Sequence, residues 1–152
     1  MEHPIALASD HAGLPLKNHI REWLQERGIP LHDFGTDAPQ SVDYSDYARL
    51  ACEAVRQNQC SLALLFCSTG IGMSMAANKM RGIRACACSD AFSAEMTRRH
   101  NDANVLCLGA QVIGPGLAEK LVDIFLAHTF EGGRHERRVG KLAEIEDQEG
   151  RL

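Results

Sequence analysis

Apolar residues along this chain fall into two alternating rhythms. Ile5 to Ala8, Ile29 to Phe34, Ser61 to Phe66, Ile83 to Cys88 and Asn104 to Leu108 are short runs of strand length. Between them the spacing turns helical. Leu16, Ile20, Trp23 and Leu24 form one stripe that ends near Gly28, and Tyr44, Ala48, Ala51 and Val55 form a second. A small-residue helix is predicted over Met73 to Lys79, another through Phe92 and Met96, and another along Leu117, Leu121, Ile124 and Phe125. Strands that alternate with helices predict an α/β fold: a doubly wound, Rossmann-like sheet of five parallel strands with helices on both faces. The 152 residues suit one domain, 1–152, with a core over about 3–130 and a C-terminal helical extension over about 131–152.

In such sheets ligands bind beyond the carboxyl ends of the strands, so the residues that follow each strand carry the chemistry. Strand one runs into Asp10 and His11. Strand three runs into Cys67-Ser68-Thr69-Gly70-Ile71-Gly72, and strand five into Gly109-Ala110-Gln111. A thiol where a strand hands over to a helix N-terminus meets unpaired N–H groups and the positive end of the helix dipole. These favour thiolate over thiol and also favour a bound anion. The alternative is a tight glycine turn with a small buried Cys. His100-Asn101-Asp102 precedes strand five. Arg134 and Arg138, if helical, share one face and could grip a phosphate. Each has a plainer reading as well: Asp10 a helix cap, the histidines idle polar residues, Asn101 or Asp102 turn formers, and the arginines part of a solvated face with Glu131, Glu136, Glu144 and Glu146.

Composition removes several classes. A net charge of −4 gives no basic field for nucleic acid. No apolar run reaches the length of a membrane span, no leader-like apolar region opens the chain and no lipidation motif closes it, so the expectation is a cytoplasmic protein. The six cysteines form no C-x-x-C pair, and Cys86-x-Cys88 lacks partners at zinc spacing, so no metal site is expected. A cysteine phosphatase needs Arg six residues after its nucleophile, where this chain has Met73. Neither G-x-S-x-G nor a G-x-G-x-x-G after strand one is present, against a serine hydrolase or a dinucleotide-dependent dehydrogenase.

Asp10-His11-Ala12-Gly13, Cys67-x-Thr69-Gly70-x-Gly72-x-Ser74, Ala76-Ala77-Asn78-Lys79, Arg99-His100-Asn101-Asp102-x-Asn104-Val105 and Gly132-Gly133-Arg134-His135-x-x-Arg138 occur in this order between Ile5 and Val139. Together they closely resemble the type B ribose-5-phosphate isomerases, a family that also contains galactose-6-phosphate isomerase subunits. The resemblance implies a cofactor-independent aldose–ketose isomerase of a sugar phosphate, most simply ribose-5-phosphate. Cys67 would be the base that takes the proton beside the carbonyl to give a cis-enediolate, and His100 would open the furanose ring. Thr69 would support that opening, and Asn101 would hold the developing oxyanion. Ser68, Gly70, Ile71, Gly72, Met73 and Ser74 would line the substrate, the N–H groups from Gly70 to Ser74 serving as an oxyanion hole. Asp10 and His11 would bind hydroxyls or phosphate, Arg134 and Arg138 phosphate, and Asp43 and Tyr44 would line the pocket. The resemblance further implies a homodimer, or a dimer of dimers, in which His100 and Asn101 meet Cys67 of the other subunit.

Two positions depart from the family pattern. Gln111 stands where relatives often carry a substrate-binding Arg, and Ser68 where glycine is common. A neutral amide in place of a charged, bidentate contact weakens phosphate binding or suits another sugar, such as allose-6-phosphate, galactose-6-phosphate or a tetrose phosphate. A non-catalytic sugar-phosphate binding protein is the remaining rival, since fold alone does not carry function.

Overall fold

Ile5–Ser9 (β1), Leu62–Cys67 (β3) and Val105–Gly109 (β5) are buried at every position. A parallel strand covered on both faces has no solvent side, which is why these strands read as nearly unbroken apolar runs. Leu31–Asp33 (β2) and Ala85–Ala87 (β4) lie at the edges of the sheet, in the order β2-β1-β3-β5-β4. All pairings are parallel. The computed structural model describes residues 3–150, so positions 1–2 and 151–152 of the expected domain lie outside the described residues.

Leu14–Glu26 (α1), Ala91–Asn101 (α4) and Pro115–Ala127 (α5) contribute to the apolar cluster on one face of the sheet. Tyr44–Arg56 (α2) and Ile71–Ala77 (α3) contribute to the cluster on the other. The chain leaves β1 through α1 for the β2 edge and returns through α2 to β3 on the opposite face. The winding direction therefore reverses between β1 and β3, and the crevice at their carboxyl ends is the ligand position of this architecture. Gly13 seals the turn after β1: a Cβ there would lie 2.2 Å from the Phe66 carbonyl oxygen, so only glycine lets α1 start this close to β3.

Several expected boundaries and faces shift. The two edge strands are half the expected length, because their flanks lie beyond the paired register. The small-residue helix starts at Ile71 and ends at Ala77 rather than running from Met73 to Lys79. Phe92 is 72% exposed, and α4 instead buries Ala94 and Thr97. Leu117 and Tyr44 also face outward, while Ala118, Leu121, Val122 and Phe125 form the buried stripe of α5.

The charged tail is the helix Arg134–Glu149 (α6). Its start is tied to the end of α4 by the Glu131 N–H, which donates to the Arg99 carbonyl at 3.0 Å. Toward its other end, Glu146 accepts the Gly82 N–H and Asp147 pairs with Arg81. Among the described residues no helix is long and apolar enough to cross a membrane.

Candidate active site

Cys67 is the last residue of β3, and three residues later Gly70 caps α3 in the left-handed region (φ 78°). That conformation favours glycine. It turns the Gly70 N–H back on the thiol, donating to Cys67 Sγ at 3.1 Å. Cys67 is only 3% exposed, yet its sulfur receives a backbone donor. An N–H pointing at sulfur stabilises negative charge there. Burial pushes Cys52 and Cys88 up to about 12 and raises Cys107 well above the usual thiol range, so these three stay protonated packing groups.

The expected oxyanion hole is narrower than the full run of N–H groups. Gly70 donates to Cys67 Sγ, Ile71 donates to Thr69 Oγ1 at 3.2 Å and Ser74 donates to the Gly70 carbonyl at 3.1 Å. The N–H groups of Gly72 and Met73 have no such partner among the described residues. Ser74 Oγ is turned back onto the Ile71 carbonyl. Ser68 lends its carbonyl to the Gln111 N–H at 3.0 Å, fixing the loop after β5 against the Cys67 loop.

Around this loop stand the residues that follow β1 and precede α2. Asp10 is 6% exposed, and its Oδ1 accepts the Gly13 N–H at 2.9 Å. It therefore braces the β1–α1 turn, while α1 itself starts at Gly13 without a side-chain cap. His11 Nδ1 accepts the Val42 N–H at 3.2 Å, which puts the proton of a neutral ring on Nε2. Asp43 is the N-terminal residue before α2 but spends no side-chain bond on it. The Tyr44 ring packs on Gly72, where a Cβ would approach it to 3.0 Å.

His100, Asn101, Arg134 and Arg138 lie elsewhere. After α4 the Ala103 N–H closes onto Thr97, and the Asn104 N–H bonds the Arg84 carbonyl before β5 begins, so α4 ends at the amino edge of the sheet. Cys67 pairs in register with Gly109 at the carboxyl edge. The five strand steps from Asn104 to Gly109 span roughly 16 Å. One protomer thus holds two sets of candidate residues at opposite edges. Arg134 and Arg138 do fall on one helix, as expected, in the first turns of α6. His100, Asn101, His135 and Arg138 line a cavity of about 360 Å³ together with Val139 and Leu142.

The His100 and His135 rings stack at 4.1 Å with 7° between their planes. Glu131 lies beside both, and the three residues offer donor atoms within 4.8 Å of one another. Weighing metals only at Cys86 and Cys88 overlooked this group, because its members are joined by the α4–α6 contact rather than by spacing. Arg99 occupies Glu131 Oε1, while Oε2 faces the Nε2 atoms of both stacked rings at 3.7 and 3.9 Å. Burial, then the charges of His100, Arg134 and Arg138, hold His135 below the usual imidazole range. Arg134 Nε donates to its Nε2 at 3.3 Å.

Residues 5–142 match the family model described as Ribose/Galactose Isomerase. The chain belongs to the ribose/galactose isomerase family. It is 44% identical over 144 residues to the ribose-5-phosphate isomerase B of Escherichia coli, covering 95% of this chain and 97% of that one. The ribose-5-phosphate isomerase B of Clostridium thermocellum superposes with a TM-score of 0.94 at 47% identity, covering 95% and 98%. The Mycoplasma genitalium ribose-5-phosphate isomerase B, solved with bound ribulose-5-phosphate, gives 0.91 at 40% identity, covering 97% and 98%. As a member of the ribose/galactose isomerase family the chain is a sugar-phosphate isomerase, which sets aside the non-catalytic rival.

Proposed function

We propose that the protein interconverts ribose-5-phosphate and ribulose-5-phosphate without a cofactor, with Cys67 as the base. The observation that carries this is the sulfur itself: buried at the topological switch, facing the Gly70 N–H, beside two unpaired N–H groups of α3. Such a thiolate takes the proton from C2 of the open aldose and returns it to C1 of the cis-enediolate. The Gly72 and Met73 N–H groups meet the charge that develops on the oxygen. His100 opens the ring first, Thr69 and Asn101 assist, and Asp10, His11, Asp43, Tyr44 and Gln111 hold the sugar. Arg134 and Arg138 take the phosphate.

These roles require the two edges of the sheet to meet, and a homodimer supplies that. In this reading each active site takes the Cys67 loop from one subunit and His100, Asn101 and the arginines from the other. Support comes from apolar side chains left uncovered next to both sets: Ile71 and Met75 on α3, 52% and 63% exposed, and Leu142 and Ile145 on α6. A single protomer has no use for such a surface.

The test is isomerisation of ribose-5-phosphate, allose-6-phosphate, galactose-6-phosphate and erythrose-4-phosphate by wild type and Cys67→Ala without added metal. Turnover is expected to be fastest on ribose-5-phosphate and to fall by about three orders of magnitude or more in Cys67→Ala, with substrate still bound. Undiminished turnover in that variant rejects the mechanism. A preference for another sugar keeps the mechanism and assigns the change of substrate to neutral Gln111.

A further inference from the structure

One carboxylate beside His100 has no part in the proton transfers described above. Glu131 stands between α5 and α6, and two contacts fix it to the end of α4. Its N–H donates to the Arg99 carbonyl at 3.0 Å, and its Oε1 accepts from Arg99 Nε at 2.6 Å. Arg99 also bonds Glu95 at 2.5 Å, so it is held between two carboxylates. The free oxygen of Glu131 is thereby aimed at one place. Oε2 lies 3.7 Å from His100 Nε2 and 3.9 Å from His135 Nε2. These separations exceed a hydrogen bond but lie within the range where charge acts, and catalytic contacts often close only when substrate arrives.

Glu131 is the carboxylate that faces His100 directly, at 3.7 Å. The hydrogen bond from Arg99 holds its carboxyl below the usual range, so it is ionised at neutral pH. His135 is kept neutral by burial and by the cations around it, and it serves as a flat, uncharged plate against His100. The other charged groups around this stack are Arg138, which lines the same cavity, Arg134, which bonds His135, and Arg99, which bonds Glu131, while Asp102, two residues along the chain from His100, is engaged by Arg84 and Arg98. In a neighbourhood this rich in arginine, an imidazole that gains a proton needs a fixed counter-charge. Glu131 is the carboxylate set against it.

We propose that Glu131, clamped by Arg99, is a positioning residue for ring opening: it orients His100 and balances the imidazolium that His100 becomes. This rests on the ring-opening role proposed for His100. In that step His100 takes the proton of the anomeric hydroxyl, the carbonyl bond forms as the bond from C1 to the ring oxygen breaks, and the ring oxygen receives the proton back. No proton or electron is gained or lost overall. The positive charge exists only between the two transfers, and Glu131 acts on that interval.

Glu131→Gln retains the shape and an acceptor for Arg99 but removes the charge. Its kcat on ribose-5-phosphate is expected to fall about tenfold, with KM changed by less than about twofold. Erythrose-4-phosphate separates ring opening from everything else, because its only hydroxyl able to close a five-membered ring carries the phosphate. On that sugar the variant should lose less than about twofold. Glu131→Asp, which restores the charge on a shorter arm, should recover part of the ribose-5-phosphate rate. The tetrose reaction on the same preparations also reports whether each variant has folded.

Equal losses on both sugars, no loss on either, or an Asp variant no better than Gln would overturn the proposal. His100→Asn, run alongside, tells the two levels apart. If it slows both sugars alike, the ring-opening reading has failed and this inference with it. If it discriminates and Glu131→Gln does not, only the role of Glu131 falls.

Discussion

His135 and Cys67 are both nearly sealed from solvent, and burial has opposite uses in the two. Cys67 Sγ receives the Gly70 N–H, whereas burial raises Cys52, Cys88 and Cys107, which is the contrast that the role proposed for Cys67 rests on. For His135 the loss of water and the nearby cations outweigh the opposing charge of Glu131, so its proton affinity falls below the ordinary value. The unfolded chain therefore binds the proton more readily than the native one. The stability tied to this ring is complete above the unfolded value of about 6.5 and is lost as pH falls through the lower native value. The urea midpoint at fixed protein concentration should consequently drop between pH 7.5 and pH 5.5, and the drop should be smaller in His135→Asn. Carboxylates held low, such as Glu131 and Asp90, lose their contribution at more acidic pH and leave this window to histidine. An identical drop in both proteins would remove His135 as its source.

Among the elements, α1 carries a side chain that neither periodicity nor motif explains. Lys17 is fully buried, and its ammonium donates to both oxygens of Asp33 at 2.8 Å and to the Thr36 carbonyl at 3.0 Å. Asp33 also accepts from Arg21 and from the Gly35 N–H, so one carboxylate ties α1, β2 and the loop leading to His11's partner Val42. The two ends of the pair are not equivalent. Lys17→Met leaves a partly exposed Asp33 that still has Arg21, whereas Asp33→Ala leaves a buried ammonium only the Thr36 carbonyl and the exposed Asp37 at 3.8 Å. Chemical denaturation should give a loss of about 3 kcal/mol or more for Asp33→Ala and a clearly smaller one for Lys17→Met. The same asymmetry explains what the sequence could reveal of these elements. Strands buried on both faces, β1, β3 and β5, were legible because burial writes an unbroken apolar run, which also marks where the loops after them begin. The faces of α4 and α5 were misread where a large side chain, Phe92 or Leu117, points outward. Lys17, Glu131 and the stacked histidines were illegible for a different reason: their partners come from elements distant in sequence, and spacing along the chain does not encode that contact.

At the scale of the whole molecule, the separation of the two candidate sets is the feature that any mechanism must meet. A furanose phosphate is far too short to reach from Cys67 at the carboxyl edge to His100 at the amino edge, roughly 16 Å of strand away. Motion within the protomer cannot close that gap, because β5 runs between the two edges as a fully buried central strand. In the proposed homodimer a second copy, apposed so that the uncovered surfaces around α3 and α6 meet, would bring the sets together. Two-fold symmetry would then build two equivalent sites, each with Cys67 from one subunit and His100 from the other. This has a consequence that stability or substrate binding cannot mimic. Cys67→Ala and His100→Asn each damage both sites of their own homodimer. In a mixed dimer one site receives both substitutions and the other receives neither. Random reassociation makes half of the dimers mixed, each with one intact site, so the mixture should regain about one quarter of wild-type ribose-5-phosphate turnover above the parents' background. If each site were built within one subunit, every site in the mixture would carry one substitution and no activity would return. Refolding the two variants together, with each refolded alone as control, therefore decides whether the active site belongs to the chain or to the pair.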